Sequence, residues 1–383
     1  MPDINKVILM IESSRSFGRE LLLGIARYVR LHGPWWFYRE PGGLEKALPA
    51  IRGWGATGII MRDSKMNQPL LELRVPAILV LHNSGQRENY PCIITDGKKI
   101  GQMAAEHLLE RGYEHFSFCG FDDLIFSQER EKSFIEHIKK AGHKVHLYRQ
   151  PATKRGRLWE YEQKRLAEWI ASCPKPLALF ACNDDRGLHA IEACKMAGID
   201  VPDEVAILGV DNDVLFCTLS DVPLSSIALA IEKAGFDAAA LLENIMTGKE
   251  QMQGQHIWVQ PTHVVVRQST DILALEDPEV IKALQFIRAN AIKNIQVQDV
   301  VGNTVMTRRM LEKRFQQVLH RSIFQEIRNA RIKKSIEMLV DTDRQIADIS
   351  TQLHFPGIEQ FSRYFRQSTG MSPSQYRKRF GFQ

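Results

Sequence analysis

Long apolar runs are missing from this sequence. The longest near the start, residues 7–11, is too short for a membrane span or a signal-peptide core, and no small-residue cleavage site follows it. A cytoplasmic location is therefore expected, with no membrane partner. Cysteine pairs are missing too. The six cysteines stand at 92, 119, 173, 182, 194 and 217, with no Cys-x-x-Cys and no Cys/His zinc spacing. That argues for reduced, buried thiols and against a disulfide framework or a metal site. Compositional bias is absent as well: 44% hydrophobic and 25% charged residues exclude a disordered or fibrous chain. No cofactor, metal or catalytic step is expected.

What is present is uneven. The 383 residues exceed one compact core and suggest two or three domains. The net charge of +5 hides an asymmetry: residues 276–383 hold 18 lysines and arginines against 11 acidic residues, while the 275 before them hold 32 against 34. A basic end on a near-neutral body is the footprint of a nucleic-acid-binding module attached to a non-binding partner domain.

The first 270 residues alternate short apolar runs with helical periodicity. Strands are expected at 7–11, 58–61, 77–81, 92–95, 116–119, 177–181 and 205–210. Helices are expected at 20–30, 100–111, 134–141 and 187–197, three of them stopped by Gly112, Gly142 and Gly198. This rhythm implies parallel sheets wound by crossover helices, in two lobes, with a ligand cleft outside the carboxyl ends of the strands. Polar residues cluster where strands should end: Glu12, Ser13, Ser14, Phe17 and Arg19; Asp122, Asp123, Gln128 and Arg130; Asn183, Asp184 and Asp185; Asp211, Asn212 and Asp213. Carboxylates, amides and guanidinium groups suit a polyol, whose hydroxyls both donate and accept. Each residue alone could equally cap a helix.

Residues 91–96, 101–112 and 128–134, the Asn183-Asp184 pair and above all the run 201–212 resemble the sensor core of lactose-repressor-type regulators, which is similar to periplasmic sugar-binding proteins. The resemblance covers roughly residues 4–268. It implies sugar contacts at Arg130, Asn183 and Asp211, with Asp184 either a contact or only a cap; Arg19 completes the expected ligand-binding set. One departure is large: no helix-turn-helix precedes the first strand.

After a connection at 271–279 the pattern becomes all helical. Residues 280–291, 297–301, 307–319 and 326–340 carry helical-period apolar faces, and a short-then-long helix pair recurs after about 50 residues, with Ile346, Ile349 and Leu353 followed by Phe361, Tyr364 and Phe365. The run 361–366 with 370–377 closely resembles the signature of arabinose-regulator-type (AraC-type) DNA-binding domains, over residues 280–380. The expected fold is thus an α/β two-lobed periplasmic-binding-protein-like sensor (1–270), a linker (271–279) and an all-α domain with two helix-turn-helix units (280–383). The first reading helix would offer Arg308, Arg309, Glu312 and Lys313 to double-stranded DNA, and the second Ile358, Glu359, Arg363 and Arg366. Family turns usually carry glycine. Here Val305 stands in the first turn and His354 in the second, with His320 in the loop after the first reading helix.

The function implied is a DNA-binding transcription regulator, an activator controlled by a small effector such as xylose or another pentose. It would work as a homodimer and touch RNA polymerase. A repressor, a sensor of a non-sugar effector, and a sugar-acting enzyme or carrier stay open as alternatives.

Overall fold

The computed structural model describes residues 4–39, 51, 53–81, 89–153, 155–271, 277–319 and 321–381. His320 and residues 272–276 of the expected linker lie outside the described residues. No helix among the described residues is long and apolar enough to cross a membrane.

The first lobe is a parallel sheet of β1 (Asn5–Met10), β2 (Trp35–Arg39), β3 (Gly58–Arg62), β4 (Ala77–Val80), β5 (Cys92–Thr95) and β11 (His256–Val259), in the order β11-β5-β4-β3-β1-β2. The second repeats that order with β6 (His115–Cys119), β7 (Val145–Leu147), β8 (Leu177–Ala181), β9 (Val205–Val210), β10 (Ser225–Leu229) and β12 (Pro261–Val265), as β12-β10-β9-β8-β6-β7. Among the described residues only β12 runs antiparallel to its neighbour. Central strands such as β8 and β9 are buried along their whole length, as expected where helices cover both faces of a sheet. In both lobes the strand order reverses beside the first strand, between β1 and β3 and between β6 and β8. A doubly wound sheet opens a crevice at the carboxyl end of that point. The two reversal points place the site.

Helices α1 (Ser16–His32) and α7 (Ile231–Met246) cover the first sheet. They cross with almost no space between them. A Cβ at Gly24 would lie 1.9 Å from the Glu232 carbonyl oxygen, and one at Gly235 would lie 2.1 Å from that of Leu21. The second lobe carries α2 (Gly97–Leu109), α3 (Ile125–Lys140), α4 (Trp159–Ser172), α5 (Asp184–Ala197) and the short α6 (Val214–Leu219). Helix starts lie earlier than apolar periodicity indicates, and at two of them a capping side chain sets the start: Asp96 accepts from the Lys99 amide, and Asn183 from the Arg186 amide. Gly112, Gly142 and Gly198 do close their helices, each at positive φ.

The C-terminal part holds α8 (Pro278–Ala289), α9 (Val297–Gly302), α10 (Arg308–Leu319), α11 (Ile323–Asp341), α12 (Ile346–Gln352), α13 (Ile358–Thr369) and α14 (Pro373–Phe380). Helix α8 starts inside the stretch expected to be linker, with Asp277 accepting from the Glu279 and Val280 amides. Two separate cores form. Leu311 and Phe315 pack with α8 and α9; Phe361 and Phe365 pack with α12 and α14. Helix α11 joins the two and also lies against β12, where Asp341 meets His263 at 3.1 Å, while its Lys333 pairs with Glu110 at the end of α2.

Candidate functional site

A cleft of about 300 Å³ opens between the carboxyl ends of the two sheets. The first lobe supplies Glu12, Arg15, Ser16 and Phe17 after β1, Arg62 at the end of β3, and Thr95 at the end of β5. The second supplies Phe121, Phe126 and Arg130 after β6, Asn183 and Asp185 after β8, and Asp211, Asp213 and Phe216 after β9.

Arg130 is the most constrained group. Its side chain is 2% exposed, its guanidinium lies 4.9 Å over the Phe126 ring, and one nitrogen donates to the Cys182 carbonyl. Its Nη2 stands 3.7 Å from Asp211 Oδ1, close enough to attract but too far for a full hydrogen bond. Among the described residues, Arg130 Nε and Asp211 Oδ1 have no hydrogen-bond partner. Buried polar atoms are almost always satisfied, so orphaned ones on a cleft wall mark capacity held for a ligand. Burial pushes the Asp211 carboxyl up to about 6, against the opposing pull of Arg130. The backbone there is left-handed at two successive residues, φ 101° at Asp211 and 50° at Asn212, a conformation that Asp and Asn tolerate better than most.

Four of the five expected ligand residues line the cleft: Arg130, Asn183, Asp184 and Asp211. They are not equivalent. Asp184 accepts from the Asp213 amide at 2.7 Å and from Ser226 Oγ at 2.5 Å, so both carboxylate oxygens are engaged by the protein. Burial holds its pKa well above the usual carboxylate range. Asn183 Oδ1 caps α5, while its Nδ2 donates to Asp185 at 3.3 Å. Arg19 is a correction. It does not line the cleft; its Nη2 clasps both oxygens of Asp213 at 3.0 and 3.1 Å. The Ser16 amide donates to the same carboxylate at 2.7 Å, and Arg15 Nε meets Asp185 Oδ2 at 2.9 Å. These bonds join the β1–α1 loop of one lobe to the other lobe across the cleft rim.

Sequence reasoning missed Arg62, which meets Glu12 at 2.5 Å, although the strand-end rule that found the others applies to it equally. Glu12 is held below the usual carboxylate range by its bond from Ser14 and by Arg62. Nothing in the sequence signalled the aromatic wall of Phe121, Phe126 and Phe216. Trp159, exposed at the start of α4, takes no part.

The C-terminal units repeat in a register of 50 residues. Helix α10 starts at 308 and α13 at 358, and each is followed by a capping box, Ser322 with Gln325 and Ser372 with Gln375. In α10, Leu311 and Phe315 face inward while Arg308, Arg309 and Lys313 are exposed; Arg308 Nε pairs with the half-buried Glu312 at 3.0 Å. In α13, Phe361 and Phe365 face inward and Ile358, Glu359, Arg363 and Arg366 are exposed. Lys313 and Arg363 are thus equivalent positions, as are Arg309 and Glu359. The register also corrects the turns: the counterpart of His354, which has φ 53°, is Thr304 and not Val305. In the second unit the His354 and Phe355 amides reach back to the Thr351 and Ser350 carbonyls, closing α12 by a left-handed cap. The first unit has no positive φ at Thr304 or Val305 and closes differently, through the Glu279 side chain.

Comparison with known proteins gives two matching families. The one described as a periplasmic binding protein-like domain matches residues 105–270, and the one described as a helix-turn-helix domain matches residues 302–379. The chain is 30% identical to the xylose operon regulatory protein of Haemophilus influenzae over 380 residues, covering 97% of this chain and 98% of that one. It is 29% identical to the xylose operon regulatory protein of Escherichia coli K12 over 381 residues, covering 97% of each. Among solved structures, that of a xylose-binding transcription activator superposes with a TM-score of 0.62 at 28% identity, covering all of both chains.

Proposed function

The chain belongs to the family of the xylose operon regulatory proteins, and from that premise we propose that it is a transcription activator switched by D-xylose bound in the interlobe cleft. The observation that carries the reading is the pair of the buried Arg130 and the partly exposed Asp211, held just short of a full hydrogen bond on the wall of a cleft of about 300 Å³. A pentose offers hydroxyls to both partners. The charges on the cleft wall pair among themselves, Glu12 with Arg62 and Arg15 with Asp185, which favours an uncharged effector over a sugar acid or phosphate. Arg130, Asn183 and Asp211 contact the sugar; Asp184 positions the turn that carries Asp211.

Residues 1–270 form the sensor and 280–383 the DNA-binding domain. Arg308, Arg309, Glu312, Lys313, Ile358, Glu359, Arg363 and Arg366 face the duplex, arginine and lysine reading guanine or gripping phosphate. The protein acts in the cytoplasm as a homodimer and engages RNA polymerase. Self-association is supported by an apolar surface on the first lobe, where Trp36 and Phe37 of edge strand β2 and Leu31 of α1 are 55%, 40% and 65% exposed. Calorimetric titration of D-xylose, D-ribose, L-arabinose and D-glucose into the full chain, with a promoter reporter read under each sugar, tests the reading. Selective binding of D-xylose with a rise in reporter output is expected. Reporter output that is high when the protein is absent would make the protein a repressor, and no sugar binding would refute the effector class.

A further inference from the structure

We propose that Arg267 is the positioning residue that transmits the state of the effector cleft to the DNA-binding domain, by tying the left-handed turn at 211–212 to the last segment of the sensor. The proposal rests on the reading of the cleft as the effector site. Asp211 faces that cleft, and its neighbour Asn212 faces the other way. Asn212 Oδ1 accepts from Arg267 Nη2 at 2.7 Å, and Arg267 Nη1 donates to the Leu224 carbonyl at 2.9 Å. Arg267 therefore clamps the turn to the start of β10. A sugar that engages Asp211 loads a strained backbone whose next side chain is already held.

From Arg267 the bonding continues without a gap. Its own amide donates to Ser225 Oγ and its carbonyl accepts from the same hydroxyl, both at 2.8 Å. Thr270 Oγ1 donates to Ser225 Oγ at 2.8 Å, and the Ser269 and Thr270 side chains are fully buried. On its far side Thr270 meets α2 and the turn after it: Arg111 Nε donates to the Thr270 carbonyl at 2.7 Å, and His107 Nε2 lies 3.1 Å from Thr270 Oγ1. Burial and the nearby Arg111 keep the His107 imidazole neutral, so its Nδ1 accepts from Arg111 Nη1 at 3.2 Å and its Nε2–H donates to Thr270. The donors then point one way, from His107 through Thr270 and Ser225 to the Arg267 carbonyl. Glu110, beside Arg111, pairs with Lys333 on α11, the helix joining the two DNA-binding units.

Every link but one is a bond made by a side chain, part-buried from Asn212 to Ser225 and buried from Ser225 to Arg111. The step from Arg111 to Glu110 is the chain itself, and the Glu110–Lys333 pair is exposed, so displacement at one end reaches the other without unfolding anything between. Residues 267–270 are also the last of the sensor before the connection to α8. Ordinary packing would hold this segment equally well with apolar residues; a polar chain of fixed direction couples two ends.

The test uses Asn212→Gly, which keeps the left-handed backbone but removes the acceptor, and Asn212→Asp, which keeps both. In the full chain, Asn212→Gly should bind D-xylose within about threefold of wild type, yet lose the sugar-dependent change in affinity for a duplex selected from random sequence by the wild-type protein, a loss of about tenfold in the coupling factor. Asn212→Asp should restore it. An intact response in Asn212→Gly, or equal loss of sugar binding in both variants, would overturn the proposal. If wild type ignores D-xylose, the effector reading fails by itself. Amide exchange in the ligand-free chain then decides: Asn212→Gly should speed exchange at 107–111 and 330–341 by about tenfold over Asn212→Asp. A change confined to 211–213 would refute the coupling.

Discussion

The Glu279 carboxylate accepts the backbone N–H of Val305 at 2.9 Å, from 26 residues away in the chain. In the second helix-turn-helix unit the equivalent amide, that of Phe355, is satisfied by the backbone of its own helix. The first unit therefore borrows from α8 a cap that the second makes for itself. Glu279→Ala should cost about 1 kcal/mol in the first unit, below the range of about 1.5–3 kcal/mol for a bond to a charged acceptor because the site is exposed. Val305→Gly should also destabilise, by about 0.4–1 kcal/mol, since Val305 has an ordinary φ and glycine only adds freedom to the unfolded chain. Exchange of the 305 amide and the unfolding midpoint measure both. A higher midpoint for Val305→Gly would contradict the account.

Asp211 should make sugar binding depend on pH. Its folded pKa, about 6, lies above the ordinary 3.8, so between those values the ligand-free fold holds a proton that the unfolded chain has released. Its contribution to stability is thus lost as pH rises through that window. Sugar hydroxyls donating to the carboxylate favour its charged form, so binding releases a proton and affinity should climb from pH 5 to pH 7. Asp211→Asn should bind the sugar about tenfold more weakly at pH 7, with a flat profile. Calorimetry in buffers of different ionisation enthalpy reads the proton directly; no release at pH 5.5 would remove Asp211 from the site.

Arg363→Ala should discriminate between reading and gripping. As a base contact it should cost about 1–3 kcal/mol at one preferred base pair and little on random DNA. Uniform weakening across sequences, with the log–log salt slope reduced by about 0.9, would make it a phosphate clamp. Competition binding at two salt concentrations separates the outcomes.

Gly235→Ala should disturb the first lobe more than any surface change. The added methyl would lie 2.1 Å from the Leu21 carbonyl oxygen, and backbone on both sides leaves no flexible group to yield. A loss of about 1–3 kcal/mol or more is expected, as for overpacking elsewhere. Thermal unfolding with D-xylose present and absent measures it, and an unchanged midpoint would mean that the helices separate freely.

The sheets were legible wherever strands are apolar throughout. Residues 177–181 and 205–210 have the ends that the sequence implies. Strands β10 and β12 were not, because Ser225, Ser226 and Thr262 are polar yet buried, satisfied by partners far away in sequence, and His263 beside them is buried too. Strand β2 escaped because it is an edge with an irregular burial pattern. The rule that ligands gather at strand ends pointed to Arg130, Asn183 and Asp211, which line the cleft. It could not separate Arg15 from Arg19, which lie one helical turn apart near the start of the same helix; only the position of Asp213 in the opposite lobe decides which arginine is drawn out of the cleft. The turn residues misled for a related reason. Val305 stands three residues after α9 and His354 two after α12, a one-residue offset that the 50-residue register exposes once both capping boxes are seen.

That register has a consequence for the DNA. Matched positions on the two reading helices carry unlike side chains, arginine at 309 against glutamate at 359, and arginine at 308 against isoleucine at 358. A duplex gripped by both units in the proposed way would be read with a head and a tail. Turning the same site end for end would then exchange the bases met by the two helices, so a single protein chain would sense which way its target points along the chromosome.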